Sequence, residues 1–437
     1  MHTLVHATQR RHCLPALALG AILPVAALAA SEEDPHHDIE EIVVTATPLE
    51  RTVEQLAQPT AVLSGDDLTR KQSTSVGETV STELGVSSTW FGPVASRPVI
   101  RGQFGERVLV LANALDAMDA SALSEDHAVG VDGILAERIE IVRGPATLLY
   151  GSGAAGGLVN VVDSRILEAP LEGPVSGALS LGSDSATGLV SGAGKIAFGI
   201  ERIAAHLDYY RRDTDDVEIP GFAESATLRA MEEVEGEEHE EPFGVVENTD
   251  SSTDGGAAAM TFTGDAGFIG LAYSLHDSNY GIPGHEHLEE GAEEEAAVRI
   301  DLEQRRLDLK GAYDFDGAIQ SAKLRIARND YTHTELEGAE IGTVFDTLGT
   351  DARLEFRHAT LGDFQGAFGL QFKSTDFSAA GEEAFVPSSD TQQSSLFLFE
   401  EWGLSETWTL QGSARVERQT IDSPSQPSYS DTAWGGS

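Results

Sequence analysis

The strongest constraint on this chain is a two-residue alternation that sets in near residue 173 and persists to about residue 421. Ile203, Ala205, Leu207 and Tyr209 would share one face of an extended segment, and Ala204, His206, Asp208 and Tyr210 the other. Ile269, Leu271, Tyr273 and Leu275 alternate in the same way with Gly270, Ala272, Ser274 and His276. Leu354 and Phe356 oppose Arg353, Glu355 and Arg357; Phe368, Leu370 and Phe372 oppose Gly369, Gln371 and Lys373; Leu410, Ala414 and Val416 oppose Gln411, Ser413 and Arg415. A period of two predicts strands, each with one apolar and one polar face. Strands of this kind can close around a wet interior and present their apolar faces to lipid. A soluble sandwich is the competing arrangement, and it would turn the apolar faces toward each other.

The connections alternate too. Short ones are expected near Gly199-Ile200-Glu201, Gly264-Asp265, Asp316-Gly317 and Thr360-Leu361, and long polar ones near 213–253, 280–299, 336–347 and 377–390. Short turns at one rim and long loops at the other fit a membrane barrel. The count is about eleven strands, whereas a barrel that encloses a domain needs about 22. The expectation is therefore an incomplete barrel, roughly the N-terminal half of a larger protein.

The N-terminal region reads differently. Residues 1–30 contain no acid, Arg10 and Arg11 precede an apolar run from Leu14 to Leu28, and Ala27-Leu28-Ala29 offers a small-x-small cleavage site. This is the layout of a signal peptide over 1–29. The run, about 15 residues, is shorter than the roughly 20 that span a bilayer. The single cysteine, Cys13, would leave with that leader, so the mature chain would have no disulfide and no thiolate chemistry. The net charge of −44 argues against a nucleic-acid partner. Residues 30–49 look flexible up to Glu41-Ile42-Val43-Val44-Thr45-Ala46-Thr47, a β-prone run that ends at Pro48. Residues 50–165 form an α+β domain, with strands at Ala61–Leu63, Arg107–Leu111, Ile139–Val142 and Leu158–Val162. Helices are expected from Gly65 and over Ser75–Leu84. The expected boundaries are thus 1–29, 30–49, 50–165 and 173–437.

The domain over 50–165 resembles the plug of TonB-dependent outer-membrane receptors. The likeness rests on Gln58-Pro-Thr-Ala-Val-Leu-Ser-Gly-Asp-Asp-Leu68 and Arg97-Pro-Val-Ile-Arg-Gly102. It rests also on Glu137-Arg-Ile-Glu-Ile-Val-Arg-Gly-Pro-Ala146, followed by Leu149-Tyr-Gly-Ser-Gly-Ala-Ala-Gly-Gly-Leu-Val-Asn-Val-Val162. Glu41, Ile42, Val43, Val44, Thr45 and Ala46 then look like the TonB box. The resemblance implies an α+β plug followed by antiparallel transmembrane β-barrel strands, about 11 of about 22. It also implies location in the outer membrane of a Gram-negative bacterium, and active import of a scarce ligand. The implied partners are outer-membrane lipid and a TonB-type inner-membrane coupling protein. That protein would grip the box by strand addition, through backbone hydrogen bonds. The short stretch before residue 41 argues against an extra signalling domain.

Two features direct the cargo toward a divalent metal. Leu123-Ser-Glu-Asp-His-Ala-Val-Gly-Val-Asp132 resembles the zinc-uptake branch of the family, where an Asp-His pair on the plug binds zinc; Asp126 and His127 match it. Carboxylate and imidazole are sound zinc ligands, and zinc usually takes four. The remaining ligands are expected from the barrel wall. The second feature is Tyr280-Gly-Ile-Pro-Gly-His-Glu-His287, which puts His285, Glu286 and His287 on a loop where they could take a metal transiently. His206 and His276 are read as polar lumen filling. A receptor for a siderophore or other metal chelate is the alternative, although acidic, aromatic-poor loops suit an anionic chelate badly. A non-transporting surface binding protein would have no use for the box. No nucleophile elbow, phosphate loop or closed catalytic metal motif is present, so neither an enzyme nor a catalytic cofactor is expected.

Overall fold

The structure, a computed structural model, describes residues 44–49, 51–52, 55–56, 58–235, 242–287, 296–338, 340–382, 384–405 and 407–437, all within one compact unit, Ile42–Ser437. The expected leader and Glu41, Ile42 and Val43 lie outside the described residues.

The N-terminal domain runs β1 (Thr60–Ser64), α1 (Gly65–Lys71), α2 (Val76–Val80), β2 (Val86–Ser88), β3 (Pro98–Ile100), β4 (Val108–Ala112), β5 (Leu115–Asp116), β6 (Arg138–Val142) and β7 (Gly157–Val162). Its main sheet has the order β1-β6-β7-β4-β5, antiparallel except for the parallel pair β4–β7. Residues of β7 are buried along its whole length. Leu68, Val76 and Val80 of the helices pack with Ile139, Val159 and Val161. Leu149 and Leu158 pack instead with Phe397 and Phe399 from the following sheet. A sheet covered on both faces needs no alternation, which is why Leu158–Val162 reads as a continuous apolar run. The Ser75 hydroxyl accepts the Glu78 N–H at 3.1 Å and caps α2. That helix ends at Val80 rather than at the expected Leu84, and the chain turns into β2 through Gly85 at φ +74°.

The second part runs β8 (Val175–Ser183), β9 (Val190–Ile200), β10 (Ile203–Thr214), β11 (Val217–Phe222), α3 (Ala226–Glu235), β12 (Phe243–Val246), β13 (Ser251–Gly264), β14 (Gly267–His287) and β15 (Ala296–Asp314). It continues with β16 (Ile319–Glu337), β17 (Glu340–His358), β18 (Phe364–Gly381), β19 (Ser389–Ser405), β20 (Trp408–Ser423) and β21 (Gln426–Gly436). Among the described residues twelve of these strands form one antiparallel sheet in sequence order, against the expected eleven or so, and that sheet does not close on itself. β11 and β12 pair separately within the β10–β13 connection.

The alternation holds strand by strand. Leu207, Tyr209, Leu271, Tyr273, Leu307, Leu370 and Leu398 are exposed outward, whereas Arg212, Arg306, Arg325, Arg353 and Arg415 are buried inward against the N-terminal domain. Outward apolar area on this scale needs a non-aqueous cover. Two expected long connections are mostly strand. β16 and β17 stay paired up to Glu337↔Glu340, so no loop spans 336–347. β14 and β15 pair up to Gly281↔Arg299 and again at Glu286↔Ala297 and His287↔Ala296, with a register shift between. Strand pairing there satisfies the backbone while polar side chains such as Asp301, Glu303 and Arg305 stay exposed. Composition alone could not separate a polar strand extension from a loop.

Candidate metal centre

The loop between β5 and β6 is tied at both ends by one side chain. The Asp119 carboxylate accepts the Ser121 N–H at 3.0 Å and the Gly130 N–H at 2.8 Å. An Asp that bonds its own backbone two residues on is a turn former. Arg97 reaches the Ser121 carbonyl from below. The Tyr280 hydroxyl of β14 accepts the Ala128 N–H at 2.9 Å and donates to the Asp126 carbonyl at 3.2 Å. The loop is thereby pinned to the wall, and His127 faces β16.

On β16 the two-residue period turns Asn329, Tyr331, His333 and Glu335 inward. Asn329 Nδ2 donates to the Ala117 and Met118 carbonyls, each at 3.1 Å, and brings this strand against the loop. His127 Nε2 then lies 3.1 Å from Glu335 Oε1, and His333 Nε2 lies 3.7 Å from the same oxygen. The two imidazole rings are 4.1 Å apart between centroids, and all three ligand atoms lie within 4.8 Å of one another. A tetrahedral ion with bonds of about 2.1 Å separates its ligands by roughly 3.4 Å, close to both distances to Glu335. His127 is 2% exposed and His333 is 0% exposed. Phe345 of β17 closes the site, at 5.0 Å from the His127 ring and 5.5 Å from that of His333.

Among the described residues His333 Nε2 is buried with no hydrogen-bond partner, which is costly unless something fills the gap. Burial by itself would pull the His127 imidazolium down. The Glu335 hydrogen bond, with the Asp126 charge and the Ala120 carbonyl, outweighs it and raises the His127 pKa above the ordinary value. Two imidazoles and a carboxylate suit zinc or a similar borderline ion.

Among the expected site residues, His127 is at the centre. The Asp126 carboxylate is outside the triad and takes the Ser124 hydroxyl. His285, Glu286 and His287 belong to the end of β14 by backbone, and their side chains lie outside the described residues. His333 and Glu335 were missed by sequence reasoning. The available signal was a His-x-Glu pair on one polar face of a strand.

Of the expected box residues, Thr45 and Ala46 lie in a turn rather than in a strand. Val44 donates its N–H to the Arg51 carbonyl at 3.0 Å, and Val44 and Ala46 pack into the core beside Phe397 and Phe399.

Residues 52–158 match the TonB-dependent receptor plug domain model, and residues 242–437 match the TonB-dependent receptor-like β-barrel model. The chain belongs to the TonB-dependent receptors. It is 31% identical over 215 residues to the vitamin B12 transporter BtuB of Photobacterium profundum, covering 46% of this chain and 34% of that protein. It is 33% identical over 212 residues to a hemin receptor of Yersinia pestis, covering 46% of this chain and 30% of that one. The chain thus spans about a third of the length of these curated relatives. Among solved structures, the copper transporter OprC superposes with a TM-score of 0.69 at 16% identity, over 86% of this chain and 60% of that one. The shared architecture is a plug domain against a large antiparallel sheet.

Proposed function

We propose that this receptor chain belongs to an outer-membrane importer, energised through a TonB-type inner-membrane protein, whose cargo is a bare divalent transition-metal ion, zinc first. Residues 1–29 would export it, residues 30–49 would carry the coupling segment, residues 50–165 the plug and residues 173–437 the barrel strands. The outward apolar faces of those strands would sit in outer-membrane lipid.

The observation that carries the reading is the triad of His127, His333 and Glu335, one ligand from the plug and two from the wall. A site shared across that seam holds an ion only while plug and wall stay together, so moving the plug releases the cargo. The triad lies beyond the apolar belt, away from the short turns: His333 pairs with Leu302 and Phe345, where outward neighbours such as Glu303 and Asp330 are polar. That is the rim at which the longer connections, and hence the outside, are expected. Two relatives bear the names of large organic cargoes. Both histidines here are buried against Phe345, which leaves no open face for a macrocycle.

The test is metal binding by the purified receptor, wild type against His127→Ala, His333→Ala and Glu335→Gln. Zinc, iron, hemin, cobalamin and a ferric siderophore are offered in parallel. Zinc affinity should fall on the order of a hundredfold or more in each variant, since a buried ligand is lost. Equal zinc binding by all four proteins, or hemin or cobalamin binding that these variants abolish, would remove the metal-ion reading.

A further inference from the structure

The two histidines of the triad are held from behind by different chemical groups. His127 Nδ1 meets the Ala120 carbonyl at 3.1 Å. A carbonyl only accepts, so Nδ1 carries a proton; the Glu335 carboxylate also only accepts, so Nε2 donates to it while the site is empty and would give up that proton to an ion. His333 Nδ1 meets instead the Tyr331 hydroxyl at 3.2 Å. A hydroxyl both donates and accepts.

We propose that Tyr331 is the positioning residue of the metal centre, its hydroxyl holding His333 Nδ1 so that Nε2 faces the ion. The inference rests on the metal-ion reading above. Tyr331 and His333 share the inward face of β16, two residues apart, so the pairing is built into the strand. The Tyr331 side chain is fully buried among Ile300, Leu302, Tyr280 and Phe345. A hydroxyl in such surroundings costs stability unless it has a partner, and the His333 ring nitrogen provides one. With the site empty, the hydroxyl can donate to Nδ1, and the neutral imidazole keeps its proton on Nε2 toward Glu335. With an ion on Nε2, that proton resides on Nδ1 and the hydroxyl oxygen accepts it. The ring stays neutral and need not turn in either state. Ala120 thus keeps a proton on Nδ1 of one ligand, and Tyr331 lets the other change tautomer in place as the ion enters or leaves.

Tyr331→Phe keeps the ring and removes only the hydroxyl. We compare purified wild-type receptor, Tyr331→Phe, His127→Ala and His333→Ala by zinc titration and by the visible spectrum of bound cobalt(II). Tyr331→Phe should bind zinc roughly 10–100-fold more weakly, as loss of a partner behind a ligating imidazole does. Its bound cobalt(II) should show shifted bands, because His333 is free to tilt. Wild-type affinity in Tyr331→Phe overturns the proposal, and so does weaker binding with an unchanged cobalt spectrum, which would mean a merely structural role. If His127→Ala and His333→Ala bind as wild type, the metal-ion reading itself fails; if they lose binding and Tyr331→Phe does not, only the role of Tyr331 fails.

Discussion

The Glu140 carboxylate, fully buried on β6, accepts the backbone N–H of Thr45 at 2.8 Å. It also takes the Thr45 hydroxyl at 3.0 Å and the Ala46 N–H at 2.9 Å, while Arg138 and Asn160 neutralise and orient it at 2.8 and 3.0 Å. The donors that strand addition would need are therefore already in use. Hydrogen bonds to a buried charge contribute about 1.5–3 kcal/mol each. We expect Glu140→Ala to lower the cost of opening this segment by roughly 2–4 kcal/mol. Amide hydrogen exchange at Thr45 and Ala46 checks this: faster exchange there with the β7 amides still protected is the expected result, and unchanged exchange would count against an anchoring role.

Val44→Pro removes the N–H that bonds to the Arg51 carbonyl and cannot donate to an added strand. Uptake of zinc by cells should be abolished while zinc binding by the purified receptor stays at the wild-type level. Surviving uptake would show that the coupling segment lies elsewhere.

Asp132 pairs with Arg212 at 2.8 Å and Asp116 with Lys373 at 2.7 Å, each joining plug to wall. Burial alone would raise both carboxyls, but Arg212 and Lys373 outweigh it and hold both pKa values below the ordinary one. A depressed folded-state pKa stabilises above the unfolded value, about 3.9 for Asp, and that stabilisation is lost as pH falls through the depressed value. Resistance of the plug to protease should be flat from pH 7 to about 4 and decline below it. Asp116→Asn should flatten part of the decline; a decline that begins at neutral pH would contradict the assignment.

Gly77 in α2 lies against the backbone of Ser96, where an added Cβ would come within 2.5 Å of the carbonyl oxygen. Backbone cannot swing aside as a side chain does. Gly77→Ala should destabilise the plug by about 1–3 kcal/mol, read as a lower midpoint in urea or on heating.

Much of the fold was legible in the chain. Period two along β10, β14, β18 and β20 assigns each side chain to a face, because an error of one residue would turn every charge to the outward apolar face and bury every leucine. The Gly-rich stretch before Leu158 and the Asp126-His127 pair pointed to the plug and to its loop. The ends of the strands were less legible. Around 336–347 the side chains are those of a loop, and only pairing of β16 with β17 makes them strand.

The sequence by itself determined the two-part architecture and singled out one side chain of the candidate metal centre, His127, since periodicity and motif order are local properties of a chain. Tertiary structure alone decided that His333 and Glu335 meet His127, more than two hundred residues away. It also decided that Glu140 closes over Thr45. Both depend on how the plug is seated against the strands, and no spacing along a chain encodes the distance between surfaces that touch only after folding.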